Sequence, residues 1–87
     1  MYVVVVYDIS VKRVSKVCQF LRRFLIWMQN SVFEGELTNA EFERVKLGLK
    51  ELIDEREDSV IFYVFRSKEL VKREHIGIKK SEPEFII

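Results

Sequence analysis

At 87 residues the chain has room for one domain, and a single core of that size yields little surplus stability. With 48% apolar and 13% aromatic residues it is not an intrinsically disordered chain. A net charge of +1 supplies no global attraction to nucleic acid, so any such role must rest on where the charges lie. Cys18 is the only cysteine, which excludes an intrachain disulfide and a cysteine zinc site, and a reducing cytoplasm is the simplest setting.

Met1 to Asp8 reads Met-Tyr-Val-Val-Val-Val-Tyr-Asp. β-Branched and aromatic residues in succession fit a pleated strand better than a helix. Alternation places Tyr2, Val4, Val6 and Asp8 on one face and Val3, Val5 and Tyr7 on the other. Both faces are apolar up to Asp8, so the strand needs cover on both sides. The run is too short to span a membrane and lacks the basic start and cleavage site of a secretory leader.

Ser10 is placed to cap a helix from Val11 to about Leu25, with Val14, Val17, Cys18, Leu21 and Leu25 at helical spacing. Lys12, Arg13, Lys16, Gln19, Arg22 and Arg23 fall largely off that stripe. No acid occurs between Asp8 and Glu34, whereas ordinary solvated helices mix signs. Trp27 to Leu37 reads as one extended segment, in which Gly35 suggests a bulge or a close backbone approach. Thr38 and Glu41 form a capping box for a helix to about Glu55, buried through Phe42, Val45, Leu49, Leu52 and Ile53. Arg56 to Ser59 is a polar turn, and Val60 to Phe65 a strand with two apolar faces. Arg66 to Glu74 is a charged loop, His75 to Ile78 a short further strand, and Phe85-Ile86-Ile87 an apolar tail beyond Pro83.

This alternation predicts an α+β, ferredoxin-like βαββαβ sandwich over residues 1–80, with 81–87 as an additional C-terminal strand associated with a dimer. Two helices cover one face of such a sheet. The cheapest cover for the other is a second copy about a two-fold axis, so a homodimer is expected. If that axis passes near the ends of the first strands, two Asp8 carboxylates meet, and a divalent cation relieves their repulsion. Mg2+ suits such a site, since it takes one or two carboxylates and completes its shell with water and phosphate oxygens.

Three stretches together resemble a known family: Tyr7-Asp8-Ile9 at the strand end, Gln29-x-Ser31-Val32-Phe33-x-Gly35, and His75-Ile76-Gly77-Ile78. The chain is similar to the small CRISPR-associated adaptation proteins, the CRISPR-associated endoribonucleases. The resemblance implies a homodimeric ferredoxin-like fold, with Mg2+ or Mn2+ between the first-strand aspartates and a C-terminal strand packed on the partner's sheet. It implies metal-dependent endonuclease activity on single-stranded RNA or double-stranded DNA, and a role in spacer acquisition with the larger adaptation protein, the integrase. Asp8 matches the metal-binding, catalytic aspartate and Tyr7 the aromatic beside it. Arg13 lies near a family arginine, and Phe33 matches an aromatic implicated in activity. Trp27 stands where some relatives carry an arginine, which removes a phosphate contact there.

The nucleic-acid surface is therefore expected at Lys12, Arg13, Lys16, Arg22 and Arg23, with Tyr7, Ser10 and Phe33 supporting the site. His75 is read as structural or solvent-facing, Cys18 as an inert core residue. A non-catalytic DNA-binding scaffold of the integration complex and a toxin-type ribonuclease share this fold and stand as alternatives.

Overall fold

The first strand is the axis of the sheet. In the computed structural model, which describes residues 1–80, β1 (Tyr2–Asp8) is flanked on both sides. β3 (Val32–Glu36) pairs with it antiparallel from Tyr2↔Glu36 to Val6↔Val32. β4 (Ser59–Phe65) pairs along its whole length, from Tyr2↔Phe65 to Asp8↔Ser59. β2 (Ile26–Gln29) completes the order β2-β3-β1-β4, and helices α1 (Val11–Leu21) and α2 (Asn39–Leu52) follow β1 and β3. This is the ferredoxin-like arrangement that the alternation of elements predicts.

Both helices pack on the Val3, Val5 and Tyr7 face of β1. The core joins those residues to Phe33, to Val17 and Leu21 of α1, and to Val45 and Leu49 of α2. Each such side chain contributes about 1.5–3 kcal/mol when fully buried, which is how a chain this short holds together. Phe20 of α1 crosses α2 at Gly48, where an added Cβ would collide with the Phe20 ring. Gly48→Leu is therefore expected to be destabilising, near the upper end of the ~1–3 kcal/mol of overpacking. That exceeds the ~1 kcal/mol recovered by removing a mid-helix glycine, and a lowered melting temperature is the check.

Four expectations change. The segment from Trp27 to Leu37 is a hairpin rather than one strand. Asn30 and Ser31 form its turn, directly after Gln29 ends β2, and Asn30 takes the left-handed φ of 42° that asparagine tolerates better than most residues. The irregularity falls between Trp27 and Gln29, while Gly35 marks a close approach, a Cβ there standing 3.2 Å from Leu25. α1 ends at Leu21, because Phe24 and Leu25 fold back to hydrogen-bond the Leu21 carbonyl and bring Leu25 into the core without continuing the helix. α2 ends at Leu52, where Asp54 begins a turn closed by Asp58. His75 to Ile78 is not a strand: Gly77 takes a φ of 97°, and no strand partner pairs with it among the described residues. The expected tail strand at 81–87 lies outside the described residues.

The other sheet face carries Tyr2, Val4, Val6 and Asp8, with Ile61, Tyr63 and Phe65 opposite them in β4. Ile61 and Tyr63 remain about half exposed, at 48% and 51%, so one chain leaves this face partly open. At its β3 side a buried carboxylate, Glu34, accepts 2.7 Å from the Tyr2 hydroxyl and pairs with Arg73 from the C-terminal segment. Burial, then the Glu34 carboxylate, push the Tyr2 phenol up to about 12. Glu34→Gln keeps the shape but removes the charge that draws Arg73 in. Amide exchange over residues 71–76 is expected to rise several-fold, with β1 and β3 protection unchanged.

Candidate nucleic-acid and metal site at the end of the first strand

β1 ends at Asp8, and Ile9 and Ser10 lead into α1. Asp8 is exposed, opposite Ser59, and no hydrogen bond or ion pair engages its carboxylate among the described residues. A rigid, centrally paired strand thus delivers an uncommitted acid to solvent. One residue earlier in β1 the Tyr7 N–H donates 3.1 Å to the Ser31 carbonyl, which sets the hairpin turn beside this end of β1.

Asp58 is the opposite kind of acid. Its side chain is 0% exposed and closes the loop between α2 and β4 onto the loop after β1. It accepts from the Ser10 N–H at 2.9 Å, the Asp54 N–H at 2.9 Å, and Arg13 through Nε at 2.6 Å and Nη2 at 3.2 Å. Arg13 Nη2 also reaches Glu57 at 2.6 Å. The Arg13 guanidinium, followed by the two backbone donors, holds the Asp58 carboxyl well below the usual carboxylate range. The depressed value means that its stabilisation is fully present above the unfolded value of about 3.9 and is lost as pH falls below it. Acid unfolding monitored by circular dichroism should therefore steepen below about pH 4 in the native chain, and less so in Asp58→Asn.

The expected site residues separate into two groups. Lys12, Lys16, Arg22 and Arg23 are exposed, and none has an acidic partner among the described residues. Arg13, expected among the phosphate-seeking bases, is instead half-buried and committed to Asp58 and Glu57. Ser10 caps α1, its Oγ accepting 3.4 Å from the Lys12 N–H. Tyr7 points away from Asp8, as alternation requires. Burial, then its 3.1 Å hydrogen bond with Cys18 Sγ, raise the phenol pKa. Phe33 is fully buried, 6.1 Å from the Tyr7 ring, and supports the strand from below. Trp27 donates from Nε1 to the Asn30 carbonyl at 3.1 Å and so braces the turn.

Asp58 and Glu34 were not legible as key residues in sequence. Asp58 reads as one of several acids in a polar turn. A carboxylate in an apolar strand, such as Glu34, was the one available signal, because it demands a cation that the chain must bring from elsewhere.

As to metal, no group of three or more His, Cys, Asp or Glu side chains converges among the described residues. The donor set here is one hard carboxylate open to water. That is unsuited to a closed four-ligand zinc site, and suited to Mg2+ or Mn2+ held by one or two carboxylates with a shell of waters and phosphate oxygens.

Fold and strand end together define a class: a ferredoxin-like α+β sandwich with an open acid at the end of its central strand and an acid-free basic helix directly behind it. The profile described as "CRISPR associated protein Cas2" matches residues 1–73. The chain belongs to the CRISPR-associated Cas2 family. It is 61% identical over 87 residues to the "CRISPR-associated endoribonuclease Cas2" of Pyrococcus furiosus, and 59% identical to the protein of that name from Thermococcus kodakarensis, each covering 100% of both chains. The solved "Crystal structure of cas2" superposes with a TM-score of 0.87 at 45% identity, covering 100% of this chain and 98% of that one. Streptococcus pyogenes Cas2 gives 0.79 at 35% identity over 88% of this chain and 100% of that one.

Proposed function

We propose that the chain is a metal-dependent endonuclease of CRISPR adaptation, hydrolysing phosphodiester bonds as a homodimer. The observation that carries this is the free, exposed Asp8 carboxylate on a rigid strand, next to a helix whose charged side chains are all basic. The relatives named as endoribonucleases support RNA as one substrate, and the basic helix suits a DNA backbone equally. The half-exposed Ile61 and Tyr63 on the face opposite the helices support a second copy as its cover. No helix among the described residues is long and apolar enough to cross a membrane, and the free thiol of Cys18 suits the cytoplasm.

In this reading Asp8 of each protomer would hold a Mg2+ or Mn2+ ion. When bound, the ion supplies neutralisation of charge at the phosphate and a more acidic water. Asp8 orients through the rigidity of β1, while Lys12 and Lys16 receive the flanking phosphates and Arg22 and Arg23 extend the track. Magnesium- or manganese-dependent cleavage of single-stranded RNA and duplex DNA, compared between the native chain and Asp8→Asn, is the test. Equal rates would discard Asp8 as the reacting centre.

The absence of any acid between Asp8 and Glu34 favours a second, compatible role: binding the duplex backbone as a scaffold for the integrase, the larger adaptation protein. Reversing Lys12, Lys16, Arg22 and Arg23 to glutamate should abolish duplex binding and spacer integration. Asp8→Asn should spare both, and native binding should weaken steeply with salt. Integration that survives the charge reversal would remove this helix as the DNA surface.

A further inference from the structure

We infer that Arg13 and Asp58 form a positioning pair that sets the geometry of the Asp8 loop, and that Arg13 does not contact substrate phosphate. The inference rests on the proposed role of Asp8. Its grounds lie in the contacts of the two side chains.

Only one residue, Ile9, separates Asp8 from Ser10, whose N–H donates to Asp58 Oδ1. On the other side Asp8 faces Ser59, the residue after Asp58. The same fully buried carboxylate therefore holds the backbone just beyond Asp8, and its own residue leads directly into the strand that pairs beside Asp8. Arg13, one turn into α1, closes the grip from the helix. Nε and Nη2 both face Asp58, and Nη2 faces Glu57 as well. A guanidinium spread over two carboxylates has its charge already neutralised, and recruiting it to a phosphate would leave a buried Asp58 unpaired, which is costly. Lys12 and Lys16, exposed and without acidic partners among the described residues, carry no such cost. A loose loop matters to chemistry because reacting groups must be held close to their productive geometry.

Arg13→Gln, Asp58→Asn, the double variant and Lys16→Gln separate the possibilities. Each is titrated with a labelled DNA duplex over a range of salt, and the Ser10 amide is followed by hydrogen exchange. Cleavage is measured with Mn2+ as in the test above. The expected result is that Arg13→Gln leaves the duplex Kd within about twofold and its salt slope unchanged, while Lys16→Gln lowers the slope by about one. Arg13→Gln and Asp58→Asn each accelerate Ser10 exchange at least about tenfold and lower kcat more than they raise KM. The double variant is no worse than the poorer single one, as for two residues acting as a unit. A salt slope reduced by Arg13→Gln would overturn the inference and make Arg13 a phosphate ligand, and so would an undiminished kcat in a variant whose Ser10 exchange has risen. Should Asp8→Asn cleave like the native chain, the endonuclease reading fails on its own. The salt slope and Ser10 exchange still decide whether Asp58 holds Arg13, and they do not require the chain to cleave. Should Asp58→Asn not fold, Arg13→Gln carries the same three readouts.

Discussion

Asp8→Asn is expected to reduce Mg2+- or Mn2+-dependent cleavage at least about a hundredfold while leaving the melting temperature within a degree or two of the native value. The two halves of that expectation have different origins. Asp8 is exposed, and among the described residues nothing bonds its carboxylate, so its loss disturbs no internal contact; surface substitutions of that kind stay within about 0.5 kcal/mol. In the proposed function its negative charge is the donor for a hard cation. Charge stabilisation by such an ion is worth several kcal/mol at the transition state, and each 1.36 kcal/mol is about a factor of ten in rate. Asparagine keeps the size and loses the charge, so Mn2+ titration calorimetry should show the binding heat vanish together with activity. Chelation of the native chain should reproduce the variant. An Asp8→Asn protein that binds Mn2+ normally and cleaves at the native rate would place the chemistry elsewhere on the surface.

Phe33→Ala is expected to be the most damaging single truncation for the fold. Phe33 is fully buried, pairs with Val5 of β1 and lies beneath Tyr7. Removing a buried phenylalanine costs about 3–5 kcal/mol, against the ~5–15 kcal/mol that holds a domain folded. In a domain this small each kcal/mol moves the melting temperature by about 4–8 °C. The transition should therefore fall by more than about 10 °C at matched protein concentration, with urea unfolding as an independent measure. A loss under about 1 kcal/mol would show that β3 and α2 collapse into the space. Any activity lost in this variant reflects the support of β1, because the Phe33 side chain reaches no surface from which it could touch substrate.

The legible parts of the fold were those where one residue's environment follows from its neighbours in sequence. The alternation in β1 grouped Val3, Val5 and Tyr7 on one face, and it is that set which the fold buries against the two helices. The capping box at Thr38 and Glu41 is present with both bonds, Glu41 accepting from the Thr38 N–H at 2.9 Å and Thr38 from the Glu41 N–H at 3.1 Å. The hairpin at Asn30 was missed because a polar turn of two residues between short apolar runs looks like the middle of one longer strand until a left-handed residue is seen. The run from His75 to Ile78 failed as a strand for the converse reason. An apolar pattern states a preference, and pairing needs a partner that only the assembled sheet can offer.

The candidate site divides along the same line. Asp8 at a strand end and the acid-free basic helix behind it are local features, readable from composition and spacing, and the motifs around Tyr7 and Phe33 pointed to the right family. The fate of Arg13 was not readable. It lies among lysines and arginines in sequence, yet 45 positions later the chain returns with Asp58 and removes it from the exposed set. The sequence by itself determined the two helices, the first and last strands of the sheet, the buried stripe and the presence of an acid at the end of β1. Tertiary structure decided which charges are free to meet a ligand, because an ion pair depends on the distance between two side chains in space, and that distance is set by the fold and not by their spacing along the chain.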